Sequence, residues 1–315
     1  MTRSHHPAAA VIAIGAANMD IAAASPHALV AGDSTPGTIR HAPGGVARNV
    51  AENLARLGHD VHLWCAVGDD LFGRSLLAQT QAAGVDVSGC WTLPEAATST
   101  YLSLHGPDGD MAVAVNDMAI VDRITPGHLQ PRAADLRAAG ALLLDGNLTG
   151  PVLAWLFGQR VDVPVFVDPV SAFKCRRFLP WLGRIHTLKL NRIEAQALWG
   201  RPLDSDAALA ACAAWLHAQG VCQVVLSLGA RGAYWSAAGA DAGWSPALPV
   251  PVCNATGTGD ALMAGLLHGH LQGLGLCASA AFGTACAALT LAAPQANHPG
   301  LSVAAVHQLQ RQHAP

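Results

Sequence analysis

The stretch "NATGTGD", residues 254–260, stands directly before the apolar run "ALMAGLL". Glycines at 257 and 259 can adopt backbone conformations that turn successive N–H groups to one side. A helix beginning near Asp260 adds the positive end of its dipole. Together, Gly257, Thr258 and Gly259 make a pocket for an anion, or for negative charge that develops during a reaction. A carboxylate there would repel a bound phosphate, so Asp260 makes sense as a proton acceptor for a hydroxyl that attacks one. A helix N-terminus predicts a low pKa for it, hence a weak base. A loose phosphoryl-transfer transition state tolerates that, because deprotonation comes late. The alternative from this stretch alone is that Asp260 only caps the helix.

Further polar residues stand where they could serve such a site. In "APGGVARN" (42–49), Gly44 and Gly45 allow close backbone approach just before a helix, and Asn49 lies one turn in. An amide there can bond to sugar hydroxyls, or it is an ordinary polar helix residue. "GAANMD" (15–20) offers Asn18 and Asp20 after a first strand, as a diol clamp or as an Asx turn. "LKLNRIEA" (188–195) gives Asn191 and Glu194 three apart, fit to orient hydrated Mg²⁺ or to form a capping box. "LSLGARGAY" (226–234) is a strand, a glycine turn and another extended piece; it cradles a nucleotide or is only a hairpin.

The elements that position these residues read as an α/β fold. "AVIAIG" (10–15), "DVHLWCAVG" (60–68), "ALLLD" (141–145), "VPVFVD" (163–168), "HTLKLN" (186–191) and "QVVLSLG" (223–229) read as strands. "VARNVAENLARLG" (46–58), "DLFGRSLLAQTQAAG" (70–84) and "DAALAACAAWLHAQG" (206–220) read as helices, and 278–293 as a buried one. Continuous apolar strands between helices predict a mainly parallel sheet covered on both faces, which binds ligands at its carboxyl ends. Residues 28–42 and 86–117, the latter with a hairpin turning at Pro107–Gly109, suggest a small β-sheet, as a lid that excludes water or as a mere sheet extension or dimer edge. A single domain is expected over 10–312, with a loose tail at 1–9.

Bulk properties exclude several classes. The chain has 315 residues, 51% hydrophobic and 12% charged, with formal net charge −3, so neither a disordered chain nor a basic nucleic-acid or membrane surface is indicated. Eight cysteines occur without C-x-x-C spacing, which points to a reducing cytoplasm. No G-x-x-x-x-G-K-[ST], H-E-x-x-H or G-x-S-x-G is present, and Leu262 stands where a dinucleotide fingerprint needs its third glycine. His268 and His270 are two apart on a helix and cannot share a metal.

Taken in order, Gly44–Asn49 and Thr256–Asp260 match the two signatures of the ribokinase-like (PfkB) carbohydrate kinases, and the chain resembles that family over nearly its whole length. The resemblance implies a three-layer α/β/α domain with a β-sheet lid, ATP as donor and Mg²⁺ as metal. It implies that Asp260 is the catalytic base, with Gly257, Thr258 and Gly259 in the anion hole. Carried over by position, Asn18, Asp20, Gly44, Gly45, Asn49 and Asn147 hold the sugar, and Lys174 is a candidate phosphate contact. Asn191, Ser227, Gly229 and Gly232 serve the nucleotide, and Glu194 serves Mg²⁺ through water. Asn254 replaces an aspartate that in many members helps bind K⁺, which leaves a K⁺ requirement open. The stretches "TSTYLSLHGPDGDMAVAVNDM" and "VPVFVDPVSAFKC" narrow the implied acceptor to the 5′-hydroxyl of a nucleoside, pseudouridine first. Another nucleoside, ribose, or a non-catalytic nucleoside sensor are the alternatives. Lid sheets of the family often pair between subunits, so a homodimer through the lid is expected.

Overall fold

The computed structural model describes residues 10–159 and 162–313. The tail expected at 1–9 lies outside them. Strands are β1 Val11–Ile14, β2 Asn18–Ala24, β3 Thr38–Gly44, β4 Val61–Trp64, β5 Ala66–Gly68, β6 Trp91–Leu93, β7 Thr100–His105, β8 Met111–Asp117, β9 Ala141–Asp145, β10 Val165–Asp168, β11 Thr187–Asn191, β12 Gln223–Ser227, β13 Ala233–Ala237 and β14 Ala242–Ser245. Helices are α1 Val46–Arg56, α2 Leu71–Ala82, α3 Pro126–Leu129, α4 Ala133–Ala138, α5 Gly150–Gly158, α6 Arg192–Trp199, α7 Asp206–Ala218, α8 Thr258–Leu271, α9 Leu276–Leu291 and α10 Val303–Gln312.

The main sheet runs β14-β13-β12-β11-β10-β9-β1-β4. It is parallel from β12 to β4, and β13 and β14 add antiparallel strands at one edge. Successive side chains of a strand point to opposite faces. Ile12, Ile14, Leu142 and Leu144 therefore enter one core, which also holds Leu153 of α5 and Leu209 of α7. Val11, Ala13, Ala141 and Leu143 enter the other, with Val50 of α1 and Met263 of α8. Two cores across one sheet make the three-layer α/β/α arrangement expected from the apolar strand runs.

A second sheet, ordered β3-β2-β7-β8, forms the lid. Its β7–β8 hairpin lies where the sequence predicts it. Two bounds differ. Residues 28–37 are turns and coil, and the strand starts only at Thr38. Asn18–Ala24, to which the sequence reading assigned no element, is the lid's inner strand, paired with β3 and β7. Residues 60–68 are not one strand: the chain breaks at Cys65, and β5 pairs with β6 in a separate two-stranded sheet. Within 86–99 only Trp91–Leu93 form a strand, in that small sheet, and the lid's share of the segment begins at Thr100.

Candidate active site

The carboxyl ends of the parallel strands bring the polar residues together, as open α/β sheets do. Register pairs Asp145 with Asp168 and Val167 with Leu188, so Lys189 falls beside Asp168 at the sheet's end. Lys189 Nζ donates to Asp168 Oδ2 at 2.6 Å, and both groups are buried. Burial works against the ammonium's charge, but Asp168, Glu194 and Asp260 outweigh it and hold the proton more firmly than usual. Past Asp168 the backbone is strained. Val170 has φ 69°, the one positive value outside glycine among the described residues, and β-branched residues rarely adopt it.

The glycine loop enters α8 as its composition predicts. Gly257 is the N-cap with φ 80°, and a Cβ there would strike the Ala296 carbonyl. A Cβ on Gly259 would lie 2.9 Å from Lys189 Nζ, so the buried ammonium stands directly beside the loop. The first N–H groups of α8 lack intrahelical partners, and that of Thr258 donates to the Ala255 carbonyl. Thr258 Oγ1 donates to the Ala255 carbonyl.

Asp260 is not the cap, for no side chain caps α8. It is 8% exposed, and its Oδ2 accepts from Asn49 Nδ2 at 2.7 Å. The low pKa expected from the helix terminus is overturned. Burial and then the Asp168 charge push its carboxyl up to about 7, against the opposing pull of Lys189 and the Asn49 hydrogen bond. Its proton affinity is therefore that of a general base poised near neutrality.

On the lid side, Asn18 Nδ2 donates to Asp20 Oδ1 at 2.5 Å, and burial raises the Asp20 carboxyl. Gly44 is required because a Cβ would strike that carboxylate, and Gly45, φ 97°, because one would strike the Ala16 carbonyl. Asn49 differs from expectation. Its Oδ1 accepts from Arg48 and its Nδ2 donates to Asp260, so both ends of the amide are committed to protein partners. Asn147 and Lys174 meet, with Nζ donating to Oδ1 at 2.5 Å, and burial lowers the Lys174 pKa. Asp145 joins this side to α1. It accepts from the backbone N–H groups of Ala16 and Ala47 with Oδ2, and from that of Asn147 with Oδ1.

Beside α9 and the start of α8 lies a cavity of about 680 Å³. Asn191, Ser227, Gly229, Gly232, Thr258 and Gly259 supply its polar rim, with Lys189 at its inner end. Leu248, Val250, Val252, Ala287 and Leu291 make its apolar walls. That volume and lining suit a ligand with a flat apolar part and an anionic tail. Asn191 and Glu194 form the reciprocal capping box of α6, with bonds of 2.9 and 2.8 Å. Glu194 is buried, which raises its pKa despite Lys189. Among the described residues, no group of three or more His, Cys, Asp or Glu could hold a metal. Asn254 shapes the loop: Oδ1 accepts from the Thr256 N–H, and Nδ2 donates to the Pro294 carbonyl.

Sequence reasoning assigned no role to Asp145, Asp168, Lys189 or Arg48. Asp145 and Asp168 close their strands and Lys189 lies in the middle of β11, and only the register makes them neighbours. The rarity of lysine was the one available signal for Lys189.

A buried carboxylate at a helix N-terminus, a glycine-rich loop, a buried ammonium and an adjoining cavity are the chemical parts that phosphoryl transfer needs. Residues 8–302 match the model of the pfkB family of carbohydrate kinases. The chain is 43% identical over 299 residues to the pseudouridine kinase of Escherichia coli K12, covering 95% of this chain and 96% of that one. It is 40% identical to the uncharacterized sugar kinase YeiI of the same organism, covering 92% and 80%. A carbohydrate kinase from Agrobacterium tumefaciens superposes with TM-score 0.84 at 26% identity, covering 96% of each chain. Arabidopsis thaliana ribokinase superposes with TM-score 0.82 at 20% identity, covering 96% and 98%, and shares the fold. The chain belongs to the pfkB family of carbohydrate kinases, and is a phosphotransferase with an alcohol group as acceptor.

Proposed function

We propose that this kinase transfers the γ-phosphoryl group of ATP to the 5′-hydroxyl of a nucleoside, pseudouridine first. The observation that carries the chemistry is Asp260, buried, held by Asn49 and set at the glycine-rich entry of α8. The acceptor rests on the 43% identity to a pseudouridine kinase across 95% of the chain. Asn18, Asp20, Asn147 and Lys174 hold the nucleoside, and the cavity beside Asn191, Ser227, Gly229 and Gly232 holds the nucleotide. Asp260 takes the hydroxyl proton. The N–H groups of residues 257–260 and the Lys189 ammonium stabilise charge on the transferring group. The lid excludes water from the transfer.

A Mg²⁺ ion keeps most of its waters and needs few protein oxygens, which fits the buried Glu194 and Asp168 better than a full protein cage. When bound it neutralises phosphate charge. A K⁺ requirement finds no carboxylate at Asn254, and turnover in Na⁺ against K⁺ tests it. Dimerisation through the lid is supported by the face opposite Asp20. There Ile39, Leu102, Met111, Val113 and Val115 are all exposed, and such a patch marks an interface. Sedimentation of Val113→Glu against the parent chain tests it. A cytoplasmic location agrees with the unpaired cysteines and with the absence, among the described residues, of a helix long and apolar enough to cross a membrane.

The deciding assay is ADP release with ATP and Mg²⁺, comparing pseudouridine, uridine, inosine and ribose. Preference for pseudouridine supports the whole reading. Preference for another acceptor keeps the Asp260 chemistry and overturns the substrate. Nucleoside binding with no turnover moves the chain to a sensor.

A further inference from the structure

Arg48 is 3% exposed, yet no ligand-binding role falls to it from the sequence. Its guanidinium reaches five groups on different parts of the fold. Nη1 donates to the Pro43 carbonyl at 3.1 Å, to Asn49 Oδ1 at 2.6 Å and to Asn297 Oδ1 at 3.4 Å. Nε donates to Thr80 Oγ1 at 3.2 Å, and Nη2 pairs with Glu52. Burial lowers its pKa to about 10, which leaves it charged at neutral pH.

Two of these contacts matter for the site. An arginine has donors only, whereas an asparagine amide has a donor end and an acceptor end. With Arg48 on Oδ1, Asn49 must present Nδ2 to Asp260. Turned the other way, the amide would set its oxygen against a carboxylate. The second contact is to Pro43, in the last turn of lid strand β3 before Gly44, whose missing Cβ leaves room for the Asp20 carboxylate. Asn297 completes the frame. Its Nδ2 donates to the Asn49 carbonyl at 2.8 Å, and the preceding Ala296 carbonyl is the group packed on Gly257.

We propose that Arg48 is a positioning residue for the phosphoryl transfer: it fixes the Asn49 amide so that it donates to Asp260, and ties that setting to the lid through the Pro43 carbonyl. The proposal rests on the kinase reading given above. A buried ion pair such as Arg48–Glu52 is a weak source of stability, since apolar residues of equal size often serve as well. Orientation of a neighbouring polar group is a use that apolar residues cannot supply.

The test is an Arg48→Met, Asn49→Leu and double-variant cycle, read by the carbon-13 shift of the Asp260 carboxyl against pH, with Asp260→Asn to assign it. The charged and polar groups facing Asp260 are Asn49 and Arg48 from α1, Asp145 from β9, Asp168 from β10 and Lys189 from β11. Only the first two change in this cycle. Arg48→Met is expected to move the midpoint upward by about one unit. It should also lower kcat by about 10²-fold with acceptor KM held, as misplacement of a reacting group does. In the double variant, Arg48→Met should add nothing to the loss of kcat caused by Asn49→Leu, and should add to the midpoint only the direct effect of its charge on Asp260. A folded Arg48→Met with the parent midpoint and pH–rate profile, changed only in Tm, overturns the proposal. If that variant does not fold, Arg48→Lys keeps a charge for Glu52 but loses the planar fork, and a smaller upward shift is expected. Parent values there overturn the proposal equally. Absence of turnover by the parent chain on every acceptor overturns the kinase reading instead, and the carboxyl titration still reports on Arg48.

Discussion

At the first turn of α8, burial pushes the Asp260 carboxyl up to about 7; eight residues on, burial pushes the His268 ring down to about 4. The helix dipole favours the charged form at both ends, an anion at the start and a cation at the finish, by about 1 kcal/mol. The rise at Asp260, from 3.8 to about 7, is on the order of 4 kcal/mol. Burial therefore wins at both ends, and a displaced proton affinity by itself does not mark a site. The surroundings distinguish the two. Asp260 stands among Lys189, Asp168 and Asn49, at the glycine-rich start of α8 and beside a cavity. His268 stacks on Phe282 with centroids 4.4 Å apart and shares a hydrogen bond of 2.8 Å with His59, filling a core. His270 packs elsewhere, against His186 and Phe166, as its spacing from His268 requires.

The strongest way to break this division is to remove each group. Asp260→Asn is expected to lower kcat by about 10²–10⁴-fold while acceptor KM stays near the parent value. His268→Leu should leave kcat intact. Near-normal turnover by the first variant, or comparable loss in the second, ends the distinction. A pair of glycines comes next. Gly257→Ala forces a side chain onto φ 80° and the Ala296 carbonyl, and should lower kcat by about 10²-fold. Gly269→Ala, where a Cβ would meet Ser279 in α9, should cost about 1–3 kcal/mol of stability and spare kcat.

Proton linkage gives the two ends opposite signs. The folded-state pKa of Asp260 lies above its unfolded value, so its contribution to stability is full below 3.8 and is lost as pH rises through about 7. His268 lies below its unfolded value, so its contribution is full above 6.5 and is lost as pH falls through about 4. Melting curves should therefore show Asp260→Asn gaining on the parent chain more at pH 8 than at pH 5, and His268→Leu gaining only in acid. The acid limb of kcat/KM should have its midpoint near 7 and should be unmoved by His268→Leu. A limb that follows His268 assigns the titration to the wrong end of the helix.

The N-terminal end of α8 was legible because glycine, threonine and aspartate before an apolar run have few local explanations. The parallel strands were legible because each is a continuous apolar run between turn signals. Lid strand β2 was not, because "NMDIAAA" lacks strict alternation and has Ile21 as its single β-branched residue, and its pairing with β3 and β7 is long-range. The Asp260 pKa was misjudged because the helix terminus is visible locally while burial and Asp168 come from elsewhere in the chain. Arg48 and Asn49 look like surface-type residues on an ordinary helix. Their joint commitment to Asp260 follows from how α1 meets α8, which spacing along one helix does not encode.

The two lysines carry the same comparison to its smallest expected effect. Lys189 lies against Gly259 and Asp168, where the proposed mechanism puts the change of charge. Lys174 is bonded to Asn147, on the side assigned to the sugar, and is not part of the nucleotide cavity. Lys174→Met removes one hydrogen bond from a charged donor, worth about 1.5–3 kcal/mol where it is made equally in ground and transition states. Such uniform binding shows in KM and not in kcat. Acceptor KM should therefore rise roughly 10- to 150-fold, with kcat and the ATP KM held. A fall in kcat at unchanged acceptor KM would place Lys174 with the transferring phosphoryl group, and the separation of sugar side from phosphate side would have to be redrawn around it.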